Sequence, residues 1–229
     1  MTKIYAYFED NDNFRLTTIK KWEHKLTVAS AKKYLRNHLL KSLQNDFSVA
    51  FDAYKNKVPQ DAGYFALPRI IFPYITFLGS LYKGTNTTES ALRFMVDYMG
   101  QVSKEYKIRA GIDYFSYRHG LLHTDMPKFF SFGKRKLGWW ISFAESNPDN
   151  RGDCLYGKLL MYPRLFYEDL YNAIELYISD FCNPRKQKCL FASFKKGFEE
   201  MAKIYLIKNL KAGKFGKALL RKGLKKYSL

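Results

Sequence analysis

The sequence predicts a mainly α-helical protein that carries one inserted β-hairpin and a basic helical C-terminal extension. Apolar residues recur at steps of three and four over about 27–124 and again over about 164–210, which is the periodicity of amphipathic helices. Two short apolar and aromatic runs, at 137–143 and 155–161, flank a loop that is rich in Asn, Asp, Gly and Pro. This arrangement is typical of two strands joined in a hairpin, at about 137–161.

The 229 residues divide by pattern into three parts. Residues 1–26 form an N-terminal segment, in which the run 10–13 signals a turn and the choice between strand and loop stays open. Residues 27–184 form a helical domain that contains the hairpin. Residues 185–229 form the basic extension. A hydrophobic content of 47% and an aromatic content of 17% are enough for a sizeable core, so we expect an ordered chain.

Turn residues set the ends of the predicted helices. Pro73 lies inside the second helix and should kink or interrupt it, because proline lacks a backbone donor. Gly84 should stop that helix, and Thr87 or Thr88 should cap the next one. The helices are expected at about 27–55, 62–82, from 87 or 88 onward, 107–124, 164–181 and 186–210.

The apolar faces of these helices are expected to form the core. On the fourth helix the apolar positions include Ile108, Ile112, Phe115 and Leu122. The other expected core positions are Val28, Ala31, Leu35, Leu39, Leu43, Phe47 and Ala50 on the first helix, Leu92, Met95, Val96, Met99 and Val102 on the third, and Leu170, Ile174, Tyr177 and Phe181 on the fifth.

Two observations bear on the compartment. The stretch 63–82 is about as long as a membrane span, but it contains Arg69, and a charge near the centre of a lone span is costly. We therefore interpret it as a buried helix and expect no membrane partner. The three cysteines include no Cys-x-x-Cys pair that could hold zinc, and the N-terminus has no secretory pattern, so we expect a cytoplasmic protein.

The net charge of +18 makes an anionic partner the leading expectation. Nucleic acid fits this charge best, and an anionic membrane surface or a basic protein with no such partner are the alternatives. The segment 185–229 carries 14 Lys and Arg residues against two acids. The expected nucleic-acid contacts are Lys128, Lys134, Arg135 and Lys136 near the hairpin, and Lys208, Lys211, Lys214, Lys217 and Arg221 along one face of the extension.

The segment 117–123, Tyr-Arg-His-Gly-Leu-Leu-His, has the residues best suited to chemistry. Arg118 is a permanent cation that can hold the oxygens of a phosphodiester, and His123 titrates near neutrality and can move a proton. His119 and His123 are four residues apart and share a helix face. Arg118 and His123 are five apart, which separates their directions by roughly 140° on an α-helix. A long arginine can still reach a phosphate beside the histidine.

These residue types suit the cleavage of RNA without a metal or cofactor. His123 would act as general base or acid on a ribose 2′-hydroxyl that attacks its own phosphodiester, and Arg118 would stabilise the transition state. His119 would position a phosphate or a second proton. Carboxylates near this segment are too few for a two-metal site. The alternative is structural, with Arg118 and His123 capping carbonyls at a helix C-terminus.

Arg118, the polar His119 and His123, late in a helix, resemble the Arg-x4–6-His signature of the HEPN superfamily. The string 118–123 is also similar to uncharacterised bacterial proteins of that kind. The resemblance covers about 27–130 and the helix near 164–181. It implies a bundle of four or five helices, usually a homodimer in which two motifs meet in one cleft.

The resemblance further implies a metal-independent endoribonuclease, since many HEPN proteins have this activity in toxin–antitoxin, abortive-infection or CRISPR-linked defence. We therefore expect RNA as a partner, together with an antitoxin or another defence-system partner. The alternative is a non-catalytic helical protein that binds nucleic acid or a partner through its basic tail.

Overall fold

The computed structural model describes residues 4–8, 14–18, 26–55, 65–121, 127–132, 134–142, 154–155, 158–202 and 213–227. Most of these residues are helical, so the prediction of a mainly α-helical protein is confirmed. The chain forms two compact units. One unit is 26–200, and the other combines 1–25 with 201–229.

The helices are labelled in chain order. Helix α1 (28–55) consists of Val28–Lys33, Tyr34–Leu40 and Lys41–Lys55, α2 is Ala66–Lys83, and α3 (88–102) consists of Thr88–Phe94, Met95–Met99 and Gly100–Val102. Helix α4 (106–119) consists of Tyr106–Asp113 and Tyr114–His119, α5 is Pro163–Asp180, α6 is Pro184–Ala202, and α7 is Lys214–Tyr227. The segments Tyr34–Leu40, Met95–Met99 and Tyr114–His119 are π-helical.

The six strands form two sheets within the described ranges. In the N-terminal segment, β1 (Ile4–Phe8) and β2 (Phe14–Thr18) are antiparallel, which resolves the choice between strand and loop. Strands β3 (Phe130–Phe132), β4 (Arg135–Ile141), β5 (Cys154–Leu155) and β6 (Lys158–Met161) form a second sheet in the order β3-β4-β6-β5.

The predicted hairpin at about 137–161 is wrong, because its two strands are parallel. Strands β4 and β6 pair with Gly138 opposite Lys158 and Ile141 opposite Met161. Parallel neighbours require a crossover connection, whereas a hairpin turn joins only antiparallel strands. The antiparallel partner of β6 is β5, and Leu155 pairs with Lys158 across residues 156 and 157. The turn-rich run at 147–153 lies outside the described residues.

Helix α2 lies at the centre of the bundle, where it packs against α1, α3, α4 and α5. It continues through Pro73 without interruption and ends as predicted at Gly84, whose φ is 73°. The next helix begins as predicted, because the Thr87 hydroxyl accepts a hydrogen bond from the Ser90 backbone amide at 3.2 Å. None of the helices in the described part of the chain combines the length and the apolar character of a membrane span.

Two glycines let neighbouring helices approach α2 closely. A Cβ atom on Gly79 of α2 would lie 2.5 Å from the backbone of Ala91 in α3, and one on Gly197 of α6 would lie 2.1 Å from the Ser80 carbonyl oxygen. Both distances are too short for a side chain. Helix α6 therefore packs on the bundle through residues 190–197, where Leu190, Phe194 and Gly197 are buried.

The predicted core positions of α1, α3 and α5 are buried for the most part. In α1 and α5 the apolar residues spaced by three and four face inward, as expected from their periodicity. The buried residues of these sets are Ala31, Leu35, Leu39, Leu43, Phe47, Met95, Met99, Leu170, Ile174, Tyr177 and Phe181. Leu92, Val96 and Val102 of α3, with Val28 and Ala50 of α1, are half-buried.

The predicted core face of α4 is wrong. Ile108 is 81% exposed and Phe115 is 41% exposed, Ile112 is half-buried, and Leu122 lies outside the described residues. The side of α4 that faces the core is polar and aromatic instead, because its polar groups satisfy one another in the interior. Its buried residues are Tyr106, Arg109, Ala110, Asp113, Tyr114, Ser116 and Tyr117.

A buried ion pair fixes this side of α4. Arg109 donates from Nε and Nη2 to the two carboxylate oxygens of Asp113, both at 2.7 Å. Burial alone would lower the pKa of Arg109 and raise that of Asp113, and each partner's charge opposes the shift of the other. Arg109 Nη2 also donates to the Leu160 carbonyl of β6 at 3.2 Å, so the pair joins α4 to the sheet.

A second buried contact joins α4 to α5. The Tyr106 hydroxyl donates to Asp169 Oδ2 at 2.9 Å, and both side chains are buried. Burial, with Asp169 beside it, raises the pKa of Tyr106 well above its ordinary value, so this hydroxyl stays protonated and remains a donor. Polar contacts thus fix the rotation of α4 about its axis.

Replacing Asp113 with Leu should lower the free energy of unfolding by about 3–5 kcal/mol, because it leaves the buried charge of Arg109 without its carboxylate. The double variant Arg109→Met/Asp113→Leu should recover most of this loss, since neither charge remains. Urea denaturation of the three proteins measures both effects.

The matched control is Glu168→Gln, which breaks the surface pair Arg164–Glu168, whose side chains are 51% and 44% exposed. We expect this variant to lose less than about 1 kcal/mol. Equal losses for Asp113→Leu and Glu168→Gln would show that the buried pair has no special role.

Candidate functional site

Arg118 and His119 lie at the end of α4, in its π-helical segment, and both are half-buried. A π-helix joins residues five apart by hydrogen bonds, so residue 119 comes over residue 114. The Tyr114 ring accordingly contacts both side chains. The Arg118 guanidinium carbon lies 6.0 Å from the ring centroid, and the His119 ring centroid lies 5.7 Å from it.

The Tyr114 ring is itself held by the central helix. Its hydroxyl shares a hydrogen bond of 3.0 Å with Thr76 Oγ1 of α2, and its ring meets Phe72 edge to face at 6.2 Å. Tyr114 is 1% exposed. The surface on which Arg118 and His119 rest is therefore rigid.

The His119 ring has a second aromatic contact. It stacks on Phe115 with ring centroids 5.1 Å apart and planes inclined by 20°. Residues four apart on a helix meet in this way. The two rings, Phe115 on one side and Tyr114 at an edge-to-face angle of 69°, set the orientation of the imidazole.

The chain returns to the end of α4 immediately before the sheet. Lys128 donates its backbone amide to the Ser116 carbonyl oxygen, and Ser116 Oγ donates to the Lys128 carbonyl oxygen, both at 3.0 Å. This reciprocal pair fixes the backbone of Lys128 against Ser116, which precedes Arg118 by two residues. Among the predicted site residues, the structure thus brings Arg118 and His119 together on the Tyr114 ring and holds the backbone of Lys128 against the same helix.

The strand that follows carries further cations. The exposed Lys134 lies at the β3–β4 turn, and the exposed Lys136 pairs with Ser131 across the two strands. The Arg135 backbone is in the strand, and its side chain is outside the described parts.

Trp139 belongs to β4 and is half-buried. Its ring lies 5.7 Å from that of Phe65 and 6.2 Å from that of Phe129. The buried Nε1 has no hydrogen-bond partner in the part of the chain that the structure describes. The Trp140 side chain is outside that part.

The remaining predicted site residues are not placed beside Arg118. His123 falls in 122–126, outside the described residues, as do Lys208 and Lys211. Lys214, Lys217 and Arg221 belong to α7, in the other compact unit. Lys214 and Arg221 are exposed and Lys217 is half-buried.

Sequence reasoning missed the residues that support the site. Tyr114, Thr76 and Ser116 position the end of α4, and their roles depend on contacts between distant parts of the chain. The spacing of four between Arg109 and Asp113 is the one local signal, since such pairs meet on a helix. Among the described residues, no three His, Cys, Asp or Glu side chains gather as metal ligands do.

Comparisons of this chain with protein-family models, with characterised proteins and with solved structures give no match.

Proposed function

We propose that this protein is a cytoplasmic, HEPN-type endoribonuclease that cleaves RNA without a metal and acts in a defence or toxin–antitoxin system. The observation that carries the proposal is the convergence of Arg118 and His119 on the Tyr114 ring, which Thr76 of α2 anchors. The helical bundle around α2 is compatible with a HEPN-like fold.

In the proposed reaction, the ribose 2′-oxygen attacks the adjacent phosphorus, and the bond from phosphorus to the 5′-oxygen breaks. His123 removes the 2′-proton or supplies a proton to the leaving 5′-oxygen, and His119 serves the other step or holds a phosphate oxygen. The products end in a 2′,3′-cyclic phosphate and a 5′-hydroxyl.

Arg118 would supply the charge that the transition state needs. Its half-buried position limits screening by water, so its attraction for a phosphorane-like oxyanion is stronger than at an exposed site. The exposed Lys128, Lys134 and Lys136 would hold the neighbouring phosphates of a single strand. These contacts position the RNA and carry no base information.

Arg118→Ala and His123→Ala should each lower the rate of cleavage of single-stranded RNA in EDTA by about 100-fold or more. The matched controls are Arg36→Ala and His38→Gln on α1, which should cleave at the wild-type rate. The measurement is the appearance of cyclic-phosphate ends. Equal rates for wild type and His123→Ala would remove the proposal.

An exposed apolar stripe on α4 supports a homodimer. Ile108 and Phe115 are 81% and 41% exposed, and the half-buried Ile112 lies between them. Spacings of four and three place the three side chains on one face. The stripe reaches the motif, since Phe115 stacks on His119. Exposed apolar stripes of this kind mark protein contacts, and a dimer across α4 would bring two motifs together.

Ile108→Glu should convert a dimer into a monomer in light-scattering measurements and should lower RNA cleavage with it, because it places a charge in the contact. The fold should tolerate the change at a position that is 81% exposed. Val49→Glu is the matched control, since Val49 is 71% exposed on α1. A wild-type monomer, or an unchanged mass for Ile108→Glu, would contradict the proposed dimer.

The second candidate is a nucleic-acid-binding protein without catalysis, and α7 is the observation that favours it. All charged side chains of Lys214–Tyr227 are cationic, and those at 214, 221, 222 and 225 are exposed. Such a helix would attract a polyanion by releasing its counterions. Binding by this helix is also compatible with catalysis at Arg118.

Replacing Lys214, Lys217 and Arg221 together by Gln should flatten the dependence of the logarithm of RNA affinity on the logarithm of salt concentration. The expected change in slope is about 2, at about 0.7 for each lost phosphate contact on a single strand. The triple replacement of Arg36, Lys41 and Lys104 removes the same charges elsewhere and should leave the slope unchanged. Affinity that does not vary with salt would exclude the second candidate.

A further inference from the structure

A groove of about 430 Å³ lies within the 26–200 unit, between the end of α2, the second half of α3 and the first half of α6. Its volume is in the range of small-molecule sites, about 300–1,000 Å³. The residues that line it include Lys83, Asp97, Asp180 and Arg185. None of them belongs to the site proposed for RNA cleavage.

The cations of this groove differ in their pairing. Lys186 Nζ donates to both carboxylate oxygens of Asp180 at 2.9 Å. Lys83 and Arg185 are exposed, and neither makes an ion pair with another residue in the described ranges. Lys83 instead lies with its Nζ 4.8 Å from the Tyr82 ring centroid. The positive charges of Lys83 and Arg185 are therefore available to an anion. A phosphate suits the arginine, because its oxygens can accept two parallel hydrogen bonds from a guanidinium.

The carboxylates of the groove are held by tyrosines. Tyr82 donates to Asp97 Oδ2 at 2.8 Å, and Tyr98 donates to Asp180 Oδ2 at 2.9 Å. Burial, with the neighbouring carboxylates, raises the pKa of both tyrosines, so both remain donors. Asp180 has a lysine as counterion, whereas the donor described for the Asp97 carboxylate is the neutral Tyr82 hydroxyl. The Asp97 carboxylate therefore has acceptor capacity left for a ligand hydroxyl.

We propose that this groove binds a phosphorylated ribose compound of nucleotide size. Lys83 and Arg185 hold the phosphate, and Asp97 accepts hydrogen bonds from the ribose hydroxyls, a role for which a carboxylate is well suited. An inorganic phosphate would satisfy the cations but leave Asp97 without a ligand donor. A neutral sugar would leave the cations without an anion.

The groove is a site separate from Arg118. Thr76, which bonds Tyr114 beneath Arg118, precedes Lys83 by seven residues on α2, a rise of about 10 Å. Helix α6, which supplies Arg185, makes none of the contacts described for Arg118 or His119. A variant can therefore change one site and leave the other intact.

The test is isothermal titration of the full chain with ribose 5-phosphate, inorganic phosphate, adenosine 5′-monophosphate and a 5′-phosphorylated RNA oligonucleotide. Ribose 5-phosphate should bind more tightly than inorganic phosphate. Arg185→Gln and Lys83→Gln should each weaken its binding about tenfold. Asp97→Asn should abolish the preference over inorganic phosphate, and Lys41→Gln, at an exposed lysine outside the groove, should have no effect. Binding of the monophosphate that Arg185→Gln weakens identifies a free ligand, and binding of the oligonucleotide that Arg185→Gln weakens identifies the RNA-borne source.

His123→Ala should bind ribose 5-phosphate like the wild type, so a loss of cleavage and a loss of this binding are distinguishable. Circular dichroism of each variant shows whether the fold is retained. Absence of saturable binding at millimolar ribose 5-phosphate would overturn the proposal. Unchanged binding in Arg185→Gln and Lys83→Gln, or equal affinity for phosphate and ribose 5-phosphate, would overturn it as well.

Discussion

The arrangement of the bundle depends on the ion pair between Arg109 and Asp113. Two charges can lie in the interior only when they are paired and hydrogen-bonded. Here the Arg109 guanidinium donates to Asp113 and also to the Leu160 carbonyl of β6. This requirement permits one rotation of α4 about its axis. The aromatic side, with Tyr114, then faces α2, and the apolar stripe with Ile108 faces outward. A polar constraint in the core thus determines which surface α4 offers to other molecules.

The π-helical end of α4 places the adjacent side chains of Arg118 and His119 against one neighbour, the Tyr114 ring. On a regular α-helix, successive side chains diverge by about 100°, so Arg118 and His119 would not share a neighbour easily. The wider turn brings both over Tyr114. Such turns are rare and cluster at functional sites. The hydrogen bond between Tyr114 and Thr76 of the central helix offsets the hydrogen bonding within the π-helical turn, which is weaker than in an α-helix. This hydrogen bond also holds the site rigidly against the core.

The parts of the fold that the sequence predicts well are those in which apolar spacing alone decides. Leu35 and Leu43 of α1, or Leu170 and Ile174 of α5, recur on one face and are buried. This reasoning fails for α4, because its buried face carries two charged side chains. Their burial is energetically acceptable only when they form an ion pair. Whether β6 runs parallel or antiparallel to β4 also depends on pairing between residues distant in sequence. A turn-rich run in the sequence does not specify this direction. For the site, chemistry identifies Arg118 and His119, but only the tertiary structure shows that Tyr114 holds both and that Ser116 fixes the backbone of Lys128.

The close contacts at Gly79 and Gly197 bear on where the chain can be cut. Helix α6 begins inside the basic C-terminal region, yet Gly197 meets the backbone of α2 and Phe194 fills the core. A fragment that ended near residue 184 would lack α6. The apolar surface that α6 covers on the bundle would then be exposed to water, and exposed apolar surfaces promote aggregation. The compact unit that contains α2 therefore extends to residue 200.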